Sequence, residues 1–480
     1  MTEAIPTDAS RPPYDSLIQD IAHYVYEFEV TSPTTLRAAR IALLDSIACA
    51  IESVPACASF IGPIVPGTVV PNGFPVPGTA HVVDPLKGAF DLGSLIRYLD
   101  HSDAFPGAEW GHPSDNIGAI LPVADWLSRR GDDSRVTMQT VLELATKAYE
   151  IQGCLQVKNA FNQVGLDHVI LVKIATSAVL SKLVGLSREQ AQDAISQAIA
   201  DGHPLRLYRQ APNTSPRKGW AAGDACMRAV HLVLMTKSGQ PGFPTALSAP
   251  KWGFNDIFWG GQALQLPIPF STLVMENHLT KLVAAEGHGI SAVEAALKLS
   301  RMEEIKGKLQ TIKSIRIRTQ AAAMRIIDKT GALHNAADRD HCMQYMVAMT
   351  LVKGDWPVPE DYENDSVYAT DPVVESLRGV ISMEEDPQMT KDYHDPRVRN
   401  CANGLSVTLE SGQILPEVLV EKPMGHPWRA DTYEGIRAKF LKLTAQTLAD
   451  PGKVWDAFVD ADASSIKVSD WVDQFAKKEC

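Results

Sequence analysis

The residues best suited to proton transfer crowd into one short stretch, Asp100 to Asn116, where His101 and His112 stand among Asp100, Asp103, Glu109 and Asp115. Pro106 and Pro113 stiffen this stretch, and a stiff loop can aim both a base and the group that orients it. The same residues also suit a capping loop in which Ser114 or Asp115 opens the next helix.

Further candidates lie far away in the chain. His168, in Gly165-Leu166-Asp167-His168-Val169, falls at the start of a predicted helix, where an imidazole and free backbone N–H groups can meet an anion or only satisfy the helix end. Arg209, Arg217 and Lys218 run through Pro212 and Pro216 into another predicted helix, so side-chain charge and a helix N-terminus can converge on carboxylates. A solvated basic loop is the plainer alternative, less natural in an acidic chain. Lys281 and His288 fall near a predicted domain junction, where ligand clefts form. Arg339 and His341, in Arg339-Asp340-His341-Cys342, and His426 are weaker candidates. The chain has no HExxH, GxSxG, P-loop or strand-borne GxGxxG arrangement, which sets aside zincins, serine hydrolases, NTPases and Rossmann dehydrogenases.

The elements that must position these groups change character along the chain. Ile117–Leu127, Val169–Leu186 and Trp220–Met235 carry apolar residues at helical spacing, and Ser187 with Gln190 forms a capping box for a further helix. After about residue 275 the texture shifts: Ser314–Thr319 and Leu405–Leu409 alternate with period two, and a turn at Glu410-Ser411-Gly412-Gln413 precedes Ile414–Val420 as a hairpin. Ala284–Met302 reads as helix between the strands, and helical texture returns from Thr432 to Leu448. The expectation is a mainly α protein with an α+β insertion, divided into a helical domain over 1–275, a smaller α+β lid over 276–427 and a helical return over 428–480.

Composition narrows the class. The chain of 480 residues has 45% hydrophobic and 21% charged residues, as globular proteins do, and a formal net charge of -12 that disfavours nucleic acid as partner. An anionic substrate would therefore need a local cationic pocket. Seven scattered cysteines without a CxxC pair suit reduced thiols in a cytoplasmic setting and argue against an iron–sulfur cluster. The first residues, with Glu3 and Asp8, show no leader pattern, and no apolar run is long enough for a membrane span.

Taken together, Ala108-Glu109-Trp110-Gly111-His112-Pro113-Ser114-Asp115-Asn116, Ile151-Gln152-Gly153-Cys154, Gly165-Leu166-Asp167-His168, Ala211-Pro212-Asn213-Thr214, Trp220-Ala221-Ala222-Gly223-Asp224, Ile326-Ile327-Asp328-Lys329, Ala337-Asp338-Arg339-Asp340-His341-Cys342 and Asp392-Tyr393-His394-Asp395-Pro396 resemble the motifs of the 2-methylcitrate dehydratase (MmgE/PrpD) family, in order and over most of the chain. The resemblance implies a large helical domain with an α+β lid, a homodimer, and a metal-independent, cofactor-free hydro-lyase acting on a small tricarboxylate. It implies Asp100, His112, His168, Lys218 and Lys281 as the catalytic set; Arg209, Arg217, His288, Arg339 and His341 stand beside it as substrate-binding candidates on their residue types and positions. Which of His112 and His168 is the base stays open. Decarboxylation of a cis-aconitate-type acid on the same scaffold, or carboxylate binding without turnover, are the competing readings. Departures from the family pattern are Leu282-Val283-Ala284-Ala285 in place of a Phe-Pro pair after the lid lysine, smaller residues such as Ala104 and Gly107 in the loop, and Gln210 in place of a histidine. A smaller wall leaves room for a longer 2-alkyl chain, at roughly 0.8 kcal/mol per buried methylene.

Overall fold

Residues 11–131, 136–210, 212–395, 398 and 400–477 are described by a computed structural model. The expectations for the N-terminal ten residues, Ala211, Pro396 and Cys480 lie outside the described residues. The first eight helices are α1 (Ser16–Glu27), α2 (Pro33–Cys57), α3 (Pro85–Arg97), α4 (Ile117–Arg130), α5 (Met138–Gln156), α6 (Val169–Leu183), α7 (Arg188–Ala200) and α8 (Arg217–Lys237). Local chemistry starts them. Asp84 accepts from the backbone N–H groups of Leu86 and Lys87 ahead of Pro85, and Ser187 and Gln190 make the expected reciprocal cap on α7. Every residue of α6 except Lys182 is buried, so this helix is the axle around which the others pack.

Glycine allows the crossing that matters most. A methyl group on Gly223 of α8 would lie 2.2 Å from the Phe90 carbonyl oxygen, and one on Gly118 of α4 would lie 2.5 Å from the Cα of Gly93 in α3. With no side chains between them, α3, α4 and α8 approach backbone to backbone. The end of α3, the loop before α4 and the start of α8 therefore open onto one place.

The short strands β1 (Phe74–Pro75) and β2 (Val82–Val83) pair in the loop before α3. The main sheet has the order β4-β3-β5-β6, with β3 (Ile312–Thr319), β4 (Ile381–Glu385), β5 (Asn403–Leu409) and β6 (Val418–Val420). β3 runs antiparallel to β5, pairing Ile315 with Val407 and Ile317 with Leu405, and β5 runs antiparallel to β6, as the hairpin expectation had it. β4 was not foreseen. It is an edge strand, mostly exposed, and its parallel pairing with β3 leaves almost no alternation in Ile-Ser-Met-Glu-Glu. The helix expected over 284–302 covers only Ile290–Ser300, because the Ala284 carbonyl accepts from the Tyr362 hydroxyl and the Glu286 side chain caps the turn at Gly287–Gly289.

Two hydrophobic cores result. One gathers side chains from 18 to 275 and from 436 to 475, including Phe440 and Trp455 of the returning helices; the other gathers 279 to 420. Ala104 and Trp110 belong to the second core although their loop springs from the first. The Ala104 and Leu279 backbones exchange two hydrogen bonds of 2.8 Å, which ties the cores at that loop. Among the described residues no helix is long and apolar enough to cross a membrane.

Gly223→Ala should destabilise the fold by about 1–3 kcal/mol, since backbone must move to admit the methyl group. Chemical denaturation checks this; an unchanged midpoint would contradict the close crossing.

Candidate active site

Asp100 sits just past the end of α3 with φ 55°, a left-handed conformation that only a short polar side chain adopts readily among non-glycine residues. Two cations hold it there. Arg97, the last residue of α3, contacts one carboxylate oxygen, and Lys281 donates to the other and to the Asp100 carbonyl, both at 2.9 Å. Burial opposes ionisation, yet Arg97, Lys281, Lys218 and His341 keep the Asp100 carboxyl well below its ordinary range. The chain thus places a permanent anion where Lys281, with no exposed surface, needs one.

His112 follows in the same loop. Its Nδ1 lies 2.5 Å from the Asp103 carbonyl oxygen, which can only accept, so Nδ1 carries the proton and Nε2 presents a lone pair. The Asp103 carboxylate meanwhile accepts from Ser114 N–H at 3.1 and 3.2 Å, and Asn116 bonds Gln152 of α5 and Thr176 of α6. The loop is therefore bolted to the helices behind it.

His168 opens α6 beside His112, with ring centroids 5.6 Å apart. Its Nδ1 is 3.3 Å from Asp167, which Arg209 clamps, and its buried Nε2 has no hydrogen-bond partner. Burial is the main reason that both imidazoles are held well below their ordinary pKa; Arg97 and Lys281 add to this at His112, and Arg209, Arg206 and Arg97 at His168. Both rings are neutral at pH 7 and able to accept a proton.

Lys218, at the start of α8, reaches the second core: Nζ lies 2.7 and 3.0 Å from the Asp340 carboxylate and 3.2 Å from His341 Nδ1. Burial lowers its proton affinity, against the pull of Asp340 and Asp100. The five residues expected as the catalytic set, drawn from both cores, thus form one buried cluster of neutral imidazoles, ammonium groups and carboxylates. His341 joins it through Asp340 at 2.6 Å.

The other candidates stand differently. His288 is enclosed, with Nδ1 on Glu286 at 2.8 Å, Nε2 on the Tyr393 hydroxyl at 3.1 Å and the Trp110 ring 4.2 Å away. Arg209 is spent on Asp167. Arg339 donates to the Tyr362 carbonyl and to Asn364, so it braces the second core. Arg217 lies away from the cluster, half-exposed, stacked on Trp220 at 4.1 Å and lining a separate cavity of about 230 Å³ with Lys173, His203 and Arg228. Arg97, three residues before Asp100, and Asp340 were not among the candidates, and Asp115 was expected only as one of the loop carboxylates or as a helix cap. Asp115 is fully buried, and burial pushes its carboxyl well above the ordinary range.

Most of the small residues that depart from the family pattern are packed full. Ala104 is wholly buried against Leu279, a methyl group on Gly107 would lie 2.6 Å from the Gln156 carbonyl oxygen, and Leu282 fills the notch left by Gly435. Open volume lies instead along the seam between the cores, in two cavities of about 90 and 460 Å³ that share Asn162, Arg206, Arg325 and Ile326; the larger is also lined by Leu205, Leu207 and Gln210. Trp110 and Tyr393, which enclose His288, line the smaller.

Residues 19–267 match the MmgE/PrpD N-terminal domain and 283–461 the MmgE/PrpD C-terminal domain. The chain belongs to the MmgE/PrpD family. It is 52% identical to the 2-methylcitrate dehydratase-like protein oryR of Aspergillus oryzae over 99% of this chain and 98% of that one. It is 47% identical to the alkylcitrate dehydratase phiI of a fungal species over 97% and 94%, and 49% identical to 2-methylcitrate dehydratase of Escherichia coli K12 over 87% and 88%.

Histidine ¹⁵N NMR at pH 6 should show His112 neutral with its proton on Nδ1, where an ordinary histidine would be largely protonated. An imidazolium pattern at that pH would contradict the arrangement.

Proposed function

We propose that this chain is a hydro-lyase that removes water from a 2-alkylcitrate to give an alkyl-aconitate, in the cleft between the domains 1–275 with 428–480 and 276–427. The observation that carries the reading is the gathering of His112, whose Nε2 is an acceptor, and the ammonium groups of Lys218 and Lys281 around the buried Asp100 carboxylate. In this reading the His112 lone pair takes the proton from the carbon beside a carboxylate. Lys281 holds a carboxylate and stabilises the enediolate-like charge that develops, while His168, with Nδ1 toward Asp167, offers Nε2 as an acceptor to the substrate hydroxyl. The C–O bond then breaks, and the hydroxyl leaves as water with a proton from Lys218, made more acidic by burial. Asp100 pairs with Lys281 and aims it. The identities to named 2-methylcitrate and alkylcitrate dehydratases support the same chemistry.

A longer alkyl chain has room in the seam cavities, beside Leu205, Leu207 and Ile326. The homodimer, a cytoplasmic location and a place in propionate or specialised metabolism belong to the same proposal.

His112→Ala and Lys218→Ala, if folded, should each lose roughly 10²–10⁴-fold in kcat. Wild-type turnover by either would exclude this site, and release of carbon dioxide from cis-aconitate would point to the decarboxylase. Comparing kcat/KM for 2-methylcitrate and 2-hexylcitrate tests the alkyl room: a clear preference for methyl rules it out.

A further inference from the structure

A tricarboxylate has three anionic groups to place, and two lysines already engaged by resident carboxylates are a thin reception for it. One more cation faces the cluster. Arg97 ends α3 with 2% of its surface exposed, yet its Nε has no hydrogen-bond partner, and Nη1 touches Asp100 without hydrogen-bond alignment. A buried guanidinium with a donor left unpaired costs stability unless something else uses that donor. Around it, Arg97 and Lys281 share the Asp100 carboxylate while Lys218 pairs with Asp340, so Arg97 has no carboxylate to itself among these pairs.

We infer that Arg97 is a substrate-binding residue, its planar fork gripping one carboxylate of the tricarboxylate beside Lys281. This deepens the dehydratase reading and rests on it for the identity of the anion. The guanidinium suits the task better than a third ammonium would, because it presents two parallel N–H groups to a carboxylate and does not lose its charge on burial. Its position also gives it a second effect. Arg97 is among the charges that depress the proton affinity of both His112 and His168, so one residue both binds the anion and keeps the bases neutral. His112 faces Arg97, Lys281, Asp100 and His168, and of these only Asp100 favours its protonation.

The test uses propane-1,2,3-tricarboxylate, which has no hydroxyl to lose, and the variants R97Q and R97K in the full chain. By calorimetry R97Q should bind this probe at least 30-fold more weakly than wild type, and R97K, which keeps the charge but not the fork, about tenfold more weakly. In kcat/KM for 2-methylcitrate, the acid limb should move toward neutral pH in R97Q, where His112 gains a proton more easily, and stay in place in R97K. A purely structural arginine would lower stability without moving that limb. Wild-type affinity for the probe in either variant, or an unmoved limb in R97Q, would overturn the proposal. If the wild-type enzyme turned over no alkylcitrate while R97Q still lost the probe, dehydration would fall and the carboxylate grip would stand.

Discussion

The constraint on which the site depends is the cost of burying cations. Lys281 has no exposed surface, and Arg97 and Lys218 almost none, so each needs an anion supplied by the fold. Asp100 and Asp340 supply it, one from the loop after α3 and one from the second core. Removing one partner of such a pair typically costs about 3–5 kcal/mol. The lysine–aspartate pairs are therefore also ties between the cores: Lys281 reaches back to Asp100, and Lys218 reaches forward to Asp340.

Catalytic capacity follows from that arrangement. Burial penalises the imidazolium form of His112 and His168, and the cations around them penalise it further, so both rings stay neutral where a free histidine would begin to charge. The Asp103 carbonyl then fixes which nitrogen of His112 is basic. The loop holding these groups can be this rigid because Trp110 anchors it in the second core, where a methyl group on Gly287 would lie 2.0 Å from the indole.

Much of this was legible in the sequence. Helical periodicity and the Ser187 cap gave α4, α6, α7 and α8, and alternation gave β3 and β5, because those signals are written in neighbouring residues. Asp100, His112, His168, Lys218 and Lys281 were found by resemblance, and their convergence could not be read from spacing, since it depends on glycine crossings between distant helices. Arg97 escaped notice because it reads as an ordinary basic residue closing a helix. Arg217 was expected at the site as part of the cationic run that leads into α8, but it and Lys218 are successive helical residues, which point about 100° apart. The supposed gaps left by Ala104, Gly107 and Leu282 were misjudged for a similar reason: volume removed from a side chain is often filled by neighbouring backbone, and only coordinates reveal it.

Side chains from both cores must meet one tricarboxylate if the proposed dehydration is right. A crystal structure of the protein with bound 2-methylcitrate tests it most directly, using the His112→Ala protein to prevent turnover. Carboxylates should lie against Lys281 and Arg97 and the hydroxyl against Lys218, with the carbon to be deprotonated facing the space that the His112 ring vacates. A ligand lodged elsewhere, for example in the cavity beside Arg217 and Lys173, would contradict it.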